Sequence, residues 1–138
     1  MSEERVVRRA IEAFYAAIEN LDIKRMEDVW LKEPYITCAH PGWPLLTGWG
    51  PVMKSWERIF DQTFEIRIVI NEIRIRVSSD LAWGVVTEHI ESRHYEGIST
   101  GIVFATNVLE RRGQGWYLVH YHSSPAQRHV DEDADQLQ

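Results

Sequence analysis

The stretch Phe64–Ser79, FEIRIVINEIRIRVSS, alternates apolar and polar residues, but its phase changes halfway. Ile66, Ile68 and Ile70 fall on even positions, whereas Ile73, Ile75 and Val77 fall on odd ones. Alternation marks a half-buried strand, because successive side chains point to opposite faces. A strand that changes phase yet keeps one apolar face must hold one extra residue. We therefore expect a β-bulge near Asn71–Glu72 and a bent strand. Arg67, Arg74 and Arg76 then form the wet face of that strand.

Downstream the same period continues. LAWGVVTEHIESRHY, TGIVFATNVLERR and WYLVHYHSS read as three further strands, separated by the turns SSD, EGIS and GQG. Upstream the period is 3.6. Val7, Ile11, Phe14, Ile18 and Leu21 make one apolar stripe, which predicts a helix over residues 3–21. Ser2 can cap it, and Glu3 and Glu4 suit the positive end of its dipole. Asp22 caps a second, short helix, IKRMEDVWL, and Pro34 ends that unit. YITCA reads as a small strand. Pro51 sits near the first turn of a third helix, where its missing N–H costs nothing. Val52, Trp56, Ile59 and Phe60 share that helix's inner face.

Helices followed by long strands joined through tight turns indicate an α+β fold. We expect three N-terminal helices packed on a strongly bent, mostly antiparallel β-sheet, which forms a cone with an internal pocket. Residues 1–125 should be a single domain, and residues 126–138 an acidic, mobile tail. A chain of 138 residues suits one core. The apolar fraction of 44% and charged fraction of 26% are those of a folded protein in water. No apolar run approaches the roughly 20 residues needed to span a bilayer. The N-terminus lacks an apolar signal core, and one cysteine forms no internal disulfide, so the expected location is cytoplasmic. A net charge of −6 disfavours nucleic acid as a partner.

One loop departs from the polar norm. TCAHPGWPLLTGWGP, Thr37 to Pro51, holds three prolines and three glycines, yet also the single cysteine, a histidine and two tryptophans. Its aromatics replace charge, as expected if one side faces an apolar cavity at the mouth of the cone.

The phrases CAHPGWPLLTGWGPVMKSWERIF, ATNVLERRGQGWYLVHYHSSP and AWGVVTEHI resemble the SnoaL-like branch of the nuclear transport factor 2-like superfamily. With the first helix, the resemblance covers nearly the whole chain. It implies isomerase, cyclase, dehydratase or hydrolase chemistry, or binding without chemistry. In the related ketosteroid isomerases the first helix presents a tyrosine to the developing oxyanion. Phe14 falls at that place here, while Tyr15, one residue later, is expected to face elsewhere. By the same resemblance His40, in CAHPG, stands where those enzymes keep a base. Asn107, in ATNVL, stands where they keep a second oxyanion donor. A histidine can accept a proton near neutral pH, and an amide can donate a hydrogen bond without a shifted pKa. No cofactor is needed for such proton transfer.

The residues themselves leave alternatives open. His40 either acts on a ligand or holds its loop. Trp43 and Trp56 either shape an apolar wall for a ligand or cover the core. Glu88 shares a face with the small residues Ala82 and Gly84, and a carboxylate there needs a partner. His122 or Asn107 could supply it, and His122, near its strand end, is expected in the pocket. His120 and His122, two apart on one strand, could instead ligate a metal with a carboxylate. Cys38 reads as a small buried residue. Apolar residues on both faces of VVT and YLVHY, together with the habit of the resembled family, lead us to expect a homodimer through the outer sheet faces.

The reading is thus a small-molecule-binding protein acting by proton transfer on an apolar, carbonyl-bearing ligand. His40 would be the base and Asn107 the donor, with Phe14, Trp43, Trp56, Glu88 and His122 around the ligand. The alternatives are a non-catalytic ligand-binding or assembly module and a metal enzyme.

Overall fold

The structure, a computed structural model, describes residues 2–126. Apart from its first residue, the expected acidic tail lies outside the described residues. Helix α1 (Glu3–Glu19) is followed by α2 (Ile23–Val29), β1 (Thr37–Ala39), β2 (Leu46–Thr47) and α3 (Trp49–Asp61). Four long strands complete the fold: β3 (Thr63–Ser78), β4 (Leu81–His94), β5 (Gly97–Arg112) and β6 (Gly115–Pro125). The sheet order is β2-β1-β6-β5-β4-β3. All neighbours are antiparallel except β1 and β6, which run parallel. The sheet is mixed and does not close.

The expected helix caps are present. Ser2 Oγ accepts from the N–H of Arg5 at 3.3 Å, and Asp22 Oδ1 from that of Arg25 at 3.2 Å. Helix α2 stops earlier than its apolar pattern suggests. Trp30 is extended and bridges Leu118, and the Leu31 N–H donates to the Leu118 carbonyl at 2.9 Å. Sheet pairing thus takes the residues that would have made the last helical turn.

The phase slip in β3 is a bulge. Ile70 pairs with Glu88 and Ile73 with Val86, so three steps on β3 match two on β4. Ile66, Ile68, Ile70, Ile73, Ile75 and Val77 are consequently all buried or half-buried, and the intervening arginines are exposed. A second slip, in β6, was not anticipated. Leu109 pairs with Leu118 and Val108 with His120, which leaves Val119 as the extra residue. The inward face of β6 therefore passes from Trp116 and Leu118 to Tyr121 and Ser123. His120 and His122 turn to the outer face, contrary to the expectation that His122 lies in the pocket.

The loop after β1 also holds more structure than expected. Leu46 and Thr47 form β2, paired with Cys38 and Thr37. Gly48 then turns the chain into α3 at φ +95°, a backbone region that disfavours side chains, while its N–H donates to the Ile36 carbonyl at 2.7 Å. The three helices lie against the concave face of the sheet. Fully buried Phe14 sits at the centre of the contact, with its ring centroid 4.9 Å from Tyr121, 5.6 Å from Trp56 and 6.2 Å from Trp30.

Candidate functional site

The inner face of the sheet carries the candidate residues in rows fixed by strand register. One row runs Cys38, Tyr121, Asn107, Gly84 across β1, β6, β5 and β4. Two rows nearer the β4–β5 hairpin, Val103, Glu88 and Ile70 lie side by side. Small residues on this face make room for what lies above it. A Cβ on Gly84 would stand 2.6 Å from Ile11 Cδ1 of α1.

Glu88 is the polar centre of this face and is only 1% exposed. Its Oε2 accepts from the Tyr15 hydroxyl at 2.5 Å and from the Tyr121 hydroxyl at 2.9 Å. Asn107 Nδ2 donates in turn to the Tyr15 oxygen at 3.4 Å. Among the described residues, no hydrogen bond reaches Glu88 Oε1. Burial pushes the Glu88 carboxyl above its ordinary range, while the two phenols pull it back by bonding the charged form. Burial and the nearby carboxylate push both phenols up, so they serve as donors rather than anions.

His40 lies beyond the end of β1 and is 5% exposed. Its Nε2 is 2.8 Å from Ser55 Oγ and 3.6 Å from Cys38 Sγ. The Ser55 hydroxyl donates its hydrogen to the Val52 carbonyl at 2.6 Å. Its oxygen is therefore the acceptor for His40, which assigns the ring proton to Nε2 and leaves Nδ1 to accept. Burial lowers the His40 pKa to about 4, so the ring is neutral at pH 7. The Trp56 ring packs edge-on at 4.6 Å and that of Trp43 at 5.0 Å. Cys38 is fully buried, and burial pushes its thiol up to about 12, which removes it as a nucleophile at neutral pH.

Among the described residues, three buried polar atoms lack a protein partner: Trp56 Nε1, Asn107 Oδ1 and Ser123 Oγ. Together they offer a donor, an acceptor and a hydroxyl. Such atoms cost free energy when left unmet, which makes them natural contacts for a polar ligand group.

The structure brings Phe14, His40, Trp56, Glu88 and Asn107 together inside the cone. It does not bring His122 there. That side chain is exposed on the outer face, and neither it nor Asn107 hydrogen-bonds Glu88. The expectation that Tyr15 faces elsewhere is also overturned, because Tyr15 is 4% exposed and donates to Glu88. Two residues of the polar centre, Tyr15 and Tyr121, were therefore missed. A signal for Tyr15 existed, since Ile11, Tyr15 and Ile18 also follow helical spacing.

His120 and His122 stand 6.0 Å apart by ring centroid, and His120 Nδ1 is 2.6 Å from Thr37 Oγ1. Among the described residues, no group of three His, Cys, Asp or Glu side chains could hold a metal ion.

Trp43 lies at the rim of the cone. It lines a cavity of about 380 Å³ with Ile59, Gln62, Thr63, His94 and Tyr95. Exposed Phe64 packs edge-on against Tyr95 at 4.5 Å, and the Arg58 guanidinium lies 5.8 Å from the Trp43 ring centre. Trp43 thus touches His40 on one side and this outer cavity on the other.

Three helices in the concavity of an open, bulged sheet define the nuclear transport factor 2-like class, with an interior that mixes aromatic rings and a few polar groups. The chain belongs to the SnoaL-like domain family, whose model matches residues 7–128. Among solved structures it is similar to a candidate dehydratase of this class from Streptomyces avermitilis. That pair is 32% identical with a TM-score of 0.85, covering 91% of this chain and 96% of the other. It is also similar to a candidate calcium/calmodulin-dependent protein kinase type II association domain from Thiobacillus denitrificans. There the identity is 29% and the TM-score 0.76, covering 86% and 93% of the two chains. The F-box protein SKIP8 of Arabidopsis thaliana is 28% identical over 111 residues, or 80% of this chain. The chain spans about half the length of that curated relative, 46%. No described helix is long and apolar enough to cross a membrane.

Proposed function

We propose that the chain is a single SnoaL-like domain over residues 1–125. It binds a small, mostly apolar, carbonyl-bearing molecule in the cone and moves a proton on it without a cofactor. His40 Nδ1 is the base. The second amide hydrogen of Asn107 donates to the developing oxyanion, and Glu88, held by Tyr15 and Tyr121, tunes the polar end. Phe14 and Trp56 form the apolar wall, and Trp43 separates the outer cavity from His40. The observation that carries this reading is the opposed perturbation of two buried groups. Burial favours neutral His40 and neutral Glu88, and such a divergence separates a base from an acid. Similarity to a candidate dehydratase agrees with it. The test is deuterium exchange α to the carbonyl in a panel of cyclic ketones, followed by NMR. Exchange by wild type that disappears in His40→Ala supports the base. A ketone that binds and exchanges no faster than in buffer removes it.

A second reading, a non-catalytic ligand-binding or assembly module, draws on a specific observation. His40, Glu88 and Asn107 are each at most 5% exposed, and aromatic rings occupy the cone around them. Similarity to an F-box protein and to a kinase association domain agrees with such a role. A homodimer through the outer sheet face fits either reading, since Trp83, Val85, Ile102 and Phe104 are exposed there. A cytoplasmic location is part of the proposal, in keeping with a single buried cysteine.

A further inference from the structure

Two of the contacts between helix α1 and the sheet flank one groove. Ile11 Cδ1 rests on Gly84, and Glu19 Oε2 accepts from the Ile68 N–H at 2.8 Å. Between them lies the β3 bulge, at Asn71–Glu72. A bulged strand bends and twists locally. A cavity of about 350 Å³ opens at that point, lined from α1 by Arg8, Glu12, Tyr15, Ala16 and Glu19 and from β3 by Ile68, Ile70, Asn71 and Ile73. It lies on the α1–β3 flank and shares no lining residue with the Trp43 cavity.

Its chemistry is two-sided. Ile68, Ile70, Ile73 and Ala16 supply its apolar lining. The rim carries one guanidinium and two carboxylates. Arg8 stands 4.0 Å from Glu4, outside the cavity, and Glu19 is bound to the Ile68 N–H. Among the described residues Glu12 has no salt bridge; it is exposed on the same groove as Arg8, one helical turn away. Tyr15 gives the site an inward connection, because this lining residue also donates to Glu88.

We propose that this groove is a second small-molecule site, which takes an amphipathic ammonium with its apolar body on Ile70 and Ile73 and its charge on Glu12. The site does not depend on catalysis in the cone. The test is an NMR titration of the full chain with phenethylammonium, alongside neutral 2-phenylethanol and anionic 3-phenylpropionate. Saturable shifts at the amides of Ala16, Ile68 and Ile73 are expected for the ammonium, with weaker binding of the other two. Glu12→Gln, on an exposed helical position, should weaken the ammonium about tenfold, the size expected for one charge-assisted contact. Ile73→Trp should fill the groove and abolish the shifts while the remaining spectrum stays folded. Equal binding of all three probes, shifts that map to Trp43 and Tyr95 instead, or no saturable shift up to the solubility of the ammonium would each overturn the proposal.

Discussion

The buried histidine and the buried carboxyl make opposite demands on pH, and the two can be separated. Burial holds His40 at about 4, against an ordinary 6.5. Between those values the unfolded chain binds a proton that the folded chain does not. Stability contributed by His40 is therefore present above pH 6.5 and lost as pH falls toward 4. The loss amounts to about 2 kcal/mol between about pH 7 and about pH 5, and about 3 kcal/mol by about pH 4. Glu88 has the other sign. Its folded value is raised, so its contribution is full below the ordinary carboxyl range and lost as pH rises through the folded value. The wild-type profile is the difference of the two. Urea titrations across this range should show that His40→Gln abolishes the acid-side loss and leaves a profile that rises toward acid. Glu88→Gln should leave the His40 slope alone. The stability difference between wild type and His40→Gln should therefore change by about 2 kcal/mol from about pH 7 to about pH 5. Parallel curves for the two proteins over that range would refute the account of a neutral, desolvated imidazole.

Tyr15→Phe removes one of two donors to a buried carboxylate, so urea titration should record a loss of about 1–3 kcal/mol and NMR a further rise in the Glu88 pKa. Gly84→Ala places a methyl 2.6 Å from Ile11 Cδ1 and should cost about 1–3 kcal/mol by thermal unfolding, largely relieved when Ile11→Val is added. Phe104→Glu charges the exposed outer face and should reduce a dimer to monomer in sedimentation, without altering the near-ultraviolet signal of the aromatic core; an unchanged mass would remove the sheet-face dimer.

The fold was legible wherever apolar and charged residues alternate cleanly. In β3 every outward position beside the slip is a charged or amide residue, apart from Val69, so the phase change at Asn71–Glu72 could be read directly. In β6 the same device is hidden. Trp116, Tyr117, Leu118 and Val119 are all apolar, and a slip inside a uniformly apolar run changes no pattern. Only the pairing with β5 reveals that Val119 is the extra residue. The consequence was large, because a one-residue slip moves every later side chain to the other face. It exchanged His122 for Tyr121 at the site. The short β2 was unreadable for another reason. Its two residues carry no period, and they pair only because Gly48 folds the chain back toward β1.

The site itself was legible in part, and the missing part shows what a family map cannot supply. The resemblance pointed to His40 and Asn107, and both are buried, Asn107 on the inner face by strand register and His40 just past the end of β1. It failed at α1 because the map recorded one position on a helix that is buried over a wide arc. Neighbouring residues on a helix point about 100° apart, and here Phe14 and Tyr15 are both inside. Phe14 faces Trp30 and Trp56, whereas Tyr15 faces Glu88. The hydroxyl is thus retained one residue later, and it meets a carboxylate on β4 rather than standing alone. That shift changes the chemistry available. A phenol that donates to Glu88 is committed before any ligand arrives, so a carbonyl oxygen entering the cone must compete for it or bind elsewhere. The second amide hydrogen of Asn107, the indole N–H of Trp56 and the Ser123 hydroxyl are donors left uncommitted among the described side chains of this cluster. A ligand oxygen on the indole N–H would lie in the neighbourhood of His40, whose ring packs on Trp56. Replacing the indole donor while keeping the ring's bulk, by 3-benzothienylalanine incorporated at Trp56, should therefore weaken a carbonyl ligand and spare its hydrocarbon analogue. Equal weakening of both would mean that the indole acts as a wall alone.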